Sequence, residues 1–83
     1  MSASTLRANP RFRVGDTVAR PINVFKSGSP VRIGTVTRVY SESGTQFGDY
    51  PELYEVTWTI ERGKPIEPLV CTGYLRHGLD PLP

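Results

Sequence analysis

Between Leu53 and Ile60 the residues alternate in character. Tyr54, Val56, Trp58 and Ile60 fall in one phase and Glu55, Thr57 and Thr59 in the other. A period of two with one apolar face is the signature of a half-buried antiparallel strand, which makes this the third strand and Val56 and Trp58 core residues. Val31 to Ser41 reads as the second strand, with apolar residues in both phases. A strongly bent strand serving two sides of a small barrel has that pattern, and Gly34 marks a bulge where a side chain would obstruct the curvature, so that Gly34→Val destabilises the fold. A first strand runs from Asp16 to Ile22, fed by the Gly15-Asp16 turn and stopped or placed at an edge by Pro21. Phe12, Val14 and Val18 are expected to seed the core. The charged turn Glu61-Arg62-Gly63-Lys64-Pro65 returns the chain to a fourth strand over Glu67 to Thr72. Gly73 to Leu82 then predicts a short helical turn and a brief closing strand, with Leu75 and Leu79 inward and Pro81 and Pro83 ending regular pairing.

Three stretches lack this periodicity. Residues 1–11 are polar and unpatterned and predict a flexible N-terminal tail ahead of a domain over residues 12–83. Asn23 to Pro30, with Lys26-Ser27-Gly28-Ser29-Pro30, has the residues of a long flexible connection in which Phe25 is exposed. Ser41 to Pro51 predicts a second long loop carrying Phe47 and Tyr50. Those two aromatics either fold over an open barrel edge or offer a stacking surface to a partner.

The chain has 83 residues, of which eight are Gly and eight Pro. A chain of that size buries only roughly 60% of its unfolded surface and supports one core. The turn residues agree with many short strands. Of its ten Lys and Arg, Arg7, Arg11 and Arg13 precede Val14 with no acid among them; the remaining seven face eight Asp and Glu. The domain is therefore close to neutral, and the basic character belongs to the arm, which could touch phosphate or an acidic protein.

Catalytic chemistry finds little to stand on. Cys71 is the lone cysteine and His77 the lone histidine, so no disulfide and no tetrahedral zinc set built from those residues can form. A thiol nucleophile would need that one Cys-His pairing. Asp49, Glu52 and Glu55 cluster near the third strand and read as a solvated edge rather than an acid-base pair. The glycines form no phosphate loop. We expect no enzyme activity, no cofactor, no metal, no small-molecule substrate and no membrane insertion, and a cytoplasmic location, since no targeting pattern or long apolar run stands in the sequence. Binding remains. Tyr40, Phe47, Tyr50, Tyr54, Trp58 and Tyr74 supply aromatic surface, and Arg32, Arg38, Arg62, Lys64 and Arg76 supply cations on or beside strands. Such a set can grip an extended peptide, cage a methylated cation or stack bases.

Phe12-x-Val14-Gly15-Asp16-x-Val18, Gly34-x-Val36-x-x-Val39, Tyr54-x-Val56-x-Trp58 and Tyr74-Leu75-x-x-x-Leu79-x-Pro81-Leu82 together resemble the SH3-like barrel group, which includes KOW and Tudor-like domains and many small bacterial and phage proteins. The resemblance spans about Phe12 to Leu82 and implies an all-β barrel of about five antiparallel strands with a short helical turn before the last. It implies a non-catalytic interaction module that binds protein, its own copies included. The alternative is a KOW/Tudor-like nucleic-acid module using the basic arm and loop aromatics. The partner-binding candidates are Phe25, Arg38, Tyr40, Phe47, Tyr50, Arg62 and Tyr74.

Overall fold

A computed structural model describes residues 11–82. The predicted tail therefore lies outside the described residues except for Arg11. The fold is all-β, a single antiparallel sheet of five strands: β1 (Thr17–Pro21), β2 (Val31–Thr45), β3 (Gly48–Glu61), β4 (Lys64–Tyr74) and β5 (Asp80–Pro81), in the spatial order β4-β3-β2-β1-β5. A 3-10 turn, Arg76–Gly78, precedes β5, as the sequence predicts. Among the described residues no ladder joins β4 to β5, so hydrogen bonding leaves the sheet open between its two edge strands.

Burial follows the alternation where the sheet is covered. Val18, Val36, Val56 and Trp58 are fully buried, and Phe12, Tyr54 and Leu79 complete the cluster. Each such side chain stabilises by about 1.5–3 kcal/mol, against about 0–1 kcal/mol for an exposed ion pair such as Arg38–Glu55. The core decides the fold. Two edge-to-face aromatic pairs lock it: Phe12 on Tyr54, with centroids 5.5 Å apart, and Trp58 on Tyr74, at 5.7 Å. The backbone N–H of Phe12 donates to the Tyr54 hydroxyl at 3.4 Å, which ties the start of the domain to β3.

Bulges supply the curvature. Register shifts interrupt the β2–β3 ladder at Ile33/Gly34, Val36/Arg38, Tyr40/Glu42 and Glu42/Thr45, and the β3–β4 ladder at Tyr54/Val56 and Trp58/Ile60. Each shift adds one residue, or two at Trp58/Ile60, to one strand and bends it. At Gly34 the strands approach so closely that a Cβ would lie 2.8 Å from Trp58 Cε3 and 2.9 Å from Trp58 Cα. Only glycine fits there.

Several expectations need correction. Ser41 to Pro51 is not a loop: β2 runs on to Thr45 and β3 starts at Gly48, leaving a two-residue turn at Gln46 and Phe47. The Thr45 hydroxyl donates to the Gly48 carbonyl at 2.6 Å, and the Gly44 N–H donates to Asp49 Oδ1 at 2.9 Å, so the tip is held from inside. The first strand is shorter than expected and the fourth longer, reaching Lys64 and Tyr74. Glu61 and Lys64 pair across Arg62 and Gly63, whose φ values of 54° and 77° match a two-residue hairpin turn with both residues left-handed. Val14 is 64% exposed and joins no core, because the Arg13–Asp16 turn points it outward while docking its own backbone on β2 through Gly15 N–H to the Val36 carbonyl. Leu75 also stays at the surface. The Asn23–Pro30 connection is pinned at both ends by Ile22 N–H to the Pro30 carbonyl and by Asn23 N–H to Ser29 Oγ.

Candidate functional site

Three segments far apart in sequence meet at one end of the sheet. β1 and the loop after it bring Arg20 and Val24. The end of β4 and the 3-10 turn bring Gly73 to Gly78, and the start of the covered part of β3 brings Tyr50, Pro51 and Glu52. Between them run two adjoining clefts, one of about 420 Å³ lined by Arg20, Val24, Tyr74, Leu75 and His77 among others, and one of about 200 Å³ lined by Tyr50, Pro51, Glu52, Leu75, Arg76 and His77. Leu75 and His77 line both, so the two clefts adjoin at the 3-10 turn and together make up the groove.

Local chemistry fixes the walls. Arg20 Nη1 donates to the Gly78 carbonyl, and the guanidinium lies over the Tyr74 ring, 5.4 Å from its centroid. This single side chain pins the turn to the first strand. Tyr74 is held from below, where the Trp58 indole N–H donates to its hydroxyl at 3.2 Å. Burial pushes the Tyr74 phenol above its ordinary value and neighbouring Cys71 adds to the rise, while the Trp58 hydrogen bond and the Arg20 charge pull the other way. Tyr74 is thus neutral at ordinary pH and presents a rigid ring edge to the groove. At the far end Glu52 Oε1 lies 3.7 Å from the exposed Arg11 guanidinium, and Glu52 Oε2 has no hydrogen-bond partner among the described residues.

The sequence candidates divide between this groove and other places. Tyr50 and Tyr74 line it, whereas Phe25, 96% exposed, follows Val24 in the chain and lines neither cleft. Arg38 and Tyr40 form a separate unit on the sheet: the guanidinium stacks 4.2 Å from the Tyr40 centroid and its Nε approaches Glu55 at 3.4 Å, while the Tyr40 hydroxyl accepts the Gly73 N–H at 2.9 Å. Tyr40 therefore bridges β2 to β4. Phe47, 76% exposed, sits on the β2–β3 turn, and Arg62 on the β3–β4 turn. They are not brought together with the groove residues.

Val24, Pro51, Glu52, Leu75 and His77 were not among the partner-binding candidates, although they build most of the groove. No local motif links positions 24, 50–52 and 75–78; only the topology does. The carboxylates of Asp49, Glu52 and Glu55 are each engaged with a different neighbour, Gly44, Arg11 and Thr37 respectively, and do not face one another as an acid-base pair. Among the described residues no hydrogen bond joins Cys71 to His77, and no group of three or more His, Cys, Asp or Glu side chains converges as a metal site. Among the same residues no helix is long and apolar enough to cross a membrane.

Compared with known proteins, the chain matches no family model, no curated protein and no solved structure.

Proposed function

We propose that the chain is a non-catalytic interaction module of SH3-like type that binds protein, with the groove across the 3-10 turn as its binding site. The carrying observation is that Leu75 and His77 are shared by two open clefts, which sets them side by side with Tyr50 and Tyr74 in their walls, an arrangement suited to an extended segment rather than an enclosed small-molecule pocket. The element order supports the SH3-like reading: successive hairpins, a 3-10 turn after the fourth strand, and a short last strand beside the first. Self-association belongs to the same proposal. β4 is an edge strand whose second half carries exposed Leu69 and Val70, whereas Pro65 and Pro68 guard its first half.

Backbone amide NMR tests the assignment. Titration with extended apolar peptides should move the amide signals of 73–78, Tyr50 and Glu52 ahead of those at the Phe47 and Arg62 turns, and sedimentation of the chain alone reports its self-association. Unperturbed groove signals with every peptide, together with a purely monomeric chain, would reject the proposal.

A further inference from the structure

The charges along the groove are unequal. Arg20 lines one cleft and Arg76 the other as fixed cations, with His77 in the lining of both, against a single carboxylate, Glu52, which already has Arg11 beside it. Arg76 makes no ion pair among the described residues. Arg20 spends one donor on the Gly78 carbonyl, and its guanidinium has further N–H donors beyond that one. The rest of the groove, Val24, Leu75 and Pro51 with the Tyr50 and Tyr74 rings, is apolar or aromatic. We infer that the partner segment is acidic: an extended peptide that sets a carboxylate against Arg76 and His77 and lays apolar side chains on Val24 and Leu75 at one side and on Tyr50 and Pro51 at the other.

Nucleic acid is the less suitable polyanion. A phosphate backbone is held by a track of many cations whose counterions are released together. Here Arg11, Arg32 and Arg38 are each paired with a carboxylate, Glu52, Glu61 and Glu55, and from Val14 onward acids outnumber bases by eight to seven. Two fixed cations suffice for one or two carboxylates on a peptide and fall short of such a track. The inference rests on the groove being the binding site, and the experiment separates the two ideas.

Three fluorescent probes are titrated into the full chain at low salt: a short unstructured peptide with glutamates between apolar residues, the same peptide with lysines in their place, and a single-stranded oligothymidine. The expected result is that the glutamate peptide binds at least about five-fold more tightly than the lysine peptide, the yield of one exposed charged contact, and that added salt removes the difference. R76E should reverse the preference, and E52Q, which removes the one opposing carboxylate of the groove, should tighten binding of the glutamate peptide. Trp58 fluorescence verifies that each variant is folded, and the salt dependence of the unmodified chain stands if R76E is not. Equal binding of both peptides keeps the groove and overturns the acidic partner. Binding of neither rejects the groove itself, and oligothymidine outcompeting the glutamate peptide replaces the inference with a nucleic-acid partner.

Discussion

Replacing Gly34 with alanine asks whether β2 and β3 really touch at their closest point. A new Cβ would meet Trp58 Cε3 at 2.8 Å and Trp58 Cα at 2.9 Å, and would press on the Thr57 carbonyl oxygen. Two of these three atoms are backbone, so no rotamer change relieves the clash. Trp58 is itself fully buried and has nowhere to swing. The strands must part, and overpacking of that kind costs about 1–3 kcal/mol, with about 1 kcal/mol more for each ladder hydrogen bond that is stretched. Alanine returns about 0.4–1 kcal/mol by restricting the unfolded chain. The net loss is about 2–3 kcal/mol, out of a total of about 4–12 kcal/mol for a domain of this size. At about 4–8 °C per kcal/mol, the melting temperature should fall by roughly 10–20 °C. Trp58 is the one tryptophan and reports unfolding directly by fluorescence. Gly63→Ala is the control: its φ of 77° brings local strain of about 1 kcal/mol, but its Cβ would meet open space. If Gly34→Ala melts within about 3 °C of the parent, or if Gly63→Ala costs as much, the close approach is not what glycine serves here.

Leu53→Ala should cost about 2–5 kcal/mol in urea unfolding although the residue lies out of phase with Tyr54, because both side chains are buried. Arg38→Ala should cost no more than about 1 kcal/mol, since its partner contacts are largely solvated, and a larger loss would mean that the Tyr40 stack carries load to β4. The raised phenol of Tyr74 predicts alkaline weakening. Its contribution is fully present below the unfolded-state value of about 10 and is lost as pH rises from there through the higher folded-state value, so Tyr74→Phe should flatten the alkaline limb of a stability-against-pH curve even while losing the Trp58 hydrogen bond. An alkaline limb unchanged in that variant would assign the titration to another group.

Much of the core was legible because Val18, Val36, Val56 and Trp58 sit in strands covered on one side, where the period of two is enforced by water on the other, and Leu79 follows directly from the 3-10 turn that the sequence predicts. The far half of the β2–β3 hairpin was not. Residues 41–44 and 46–49 are all exposed, so both faces are polar and no alternation exists to distinguish a strand from a loop. Leu75 was misplaced for a related reason. An apolar residue on a groove wall reads in sequence like one in a core, and only the approach of β3 across the turn makes the difference. Arg20, Glu52 and His77 are not legible as groove residues because their place there comes from neighbours in space that are remote along the chain.

The Arg20 contact with Gly78 joins residues 58 positions apart, and β1 also borders β5, whereas β2, β3 and β4 are linked by two-residue turns. Loop closure of that length is entropically slow to reward, so the three-strand meander should assemble first and the two chain ends dock late. Substitutions at Arg20 should then accelerate unfolding and leave the refolding rate nearly untouched, which places the clefts beside the 3-10 turn among the last parts of the molecule to exist and the first to be lost.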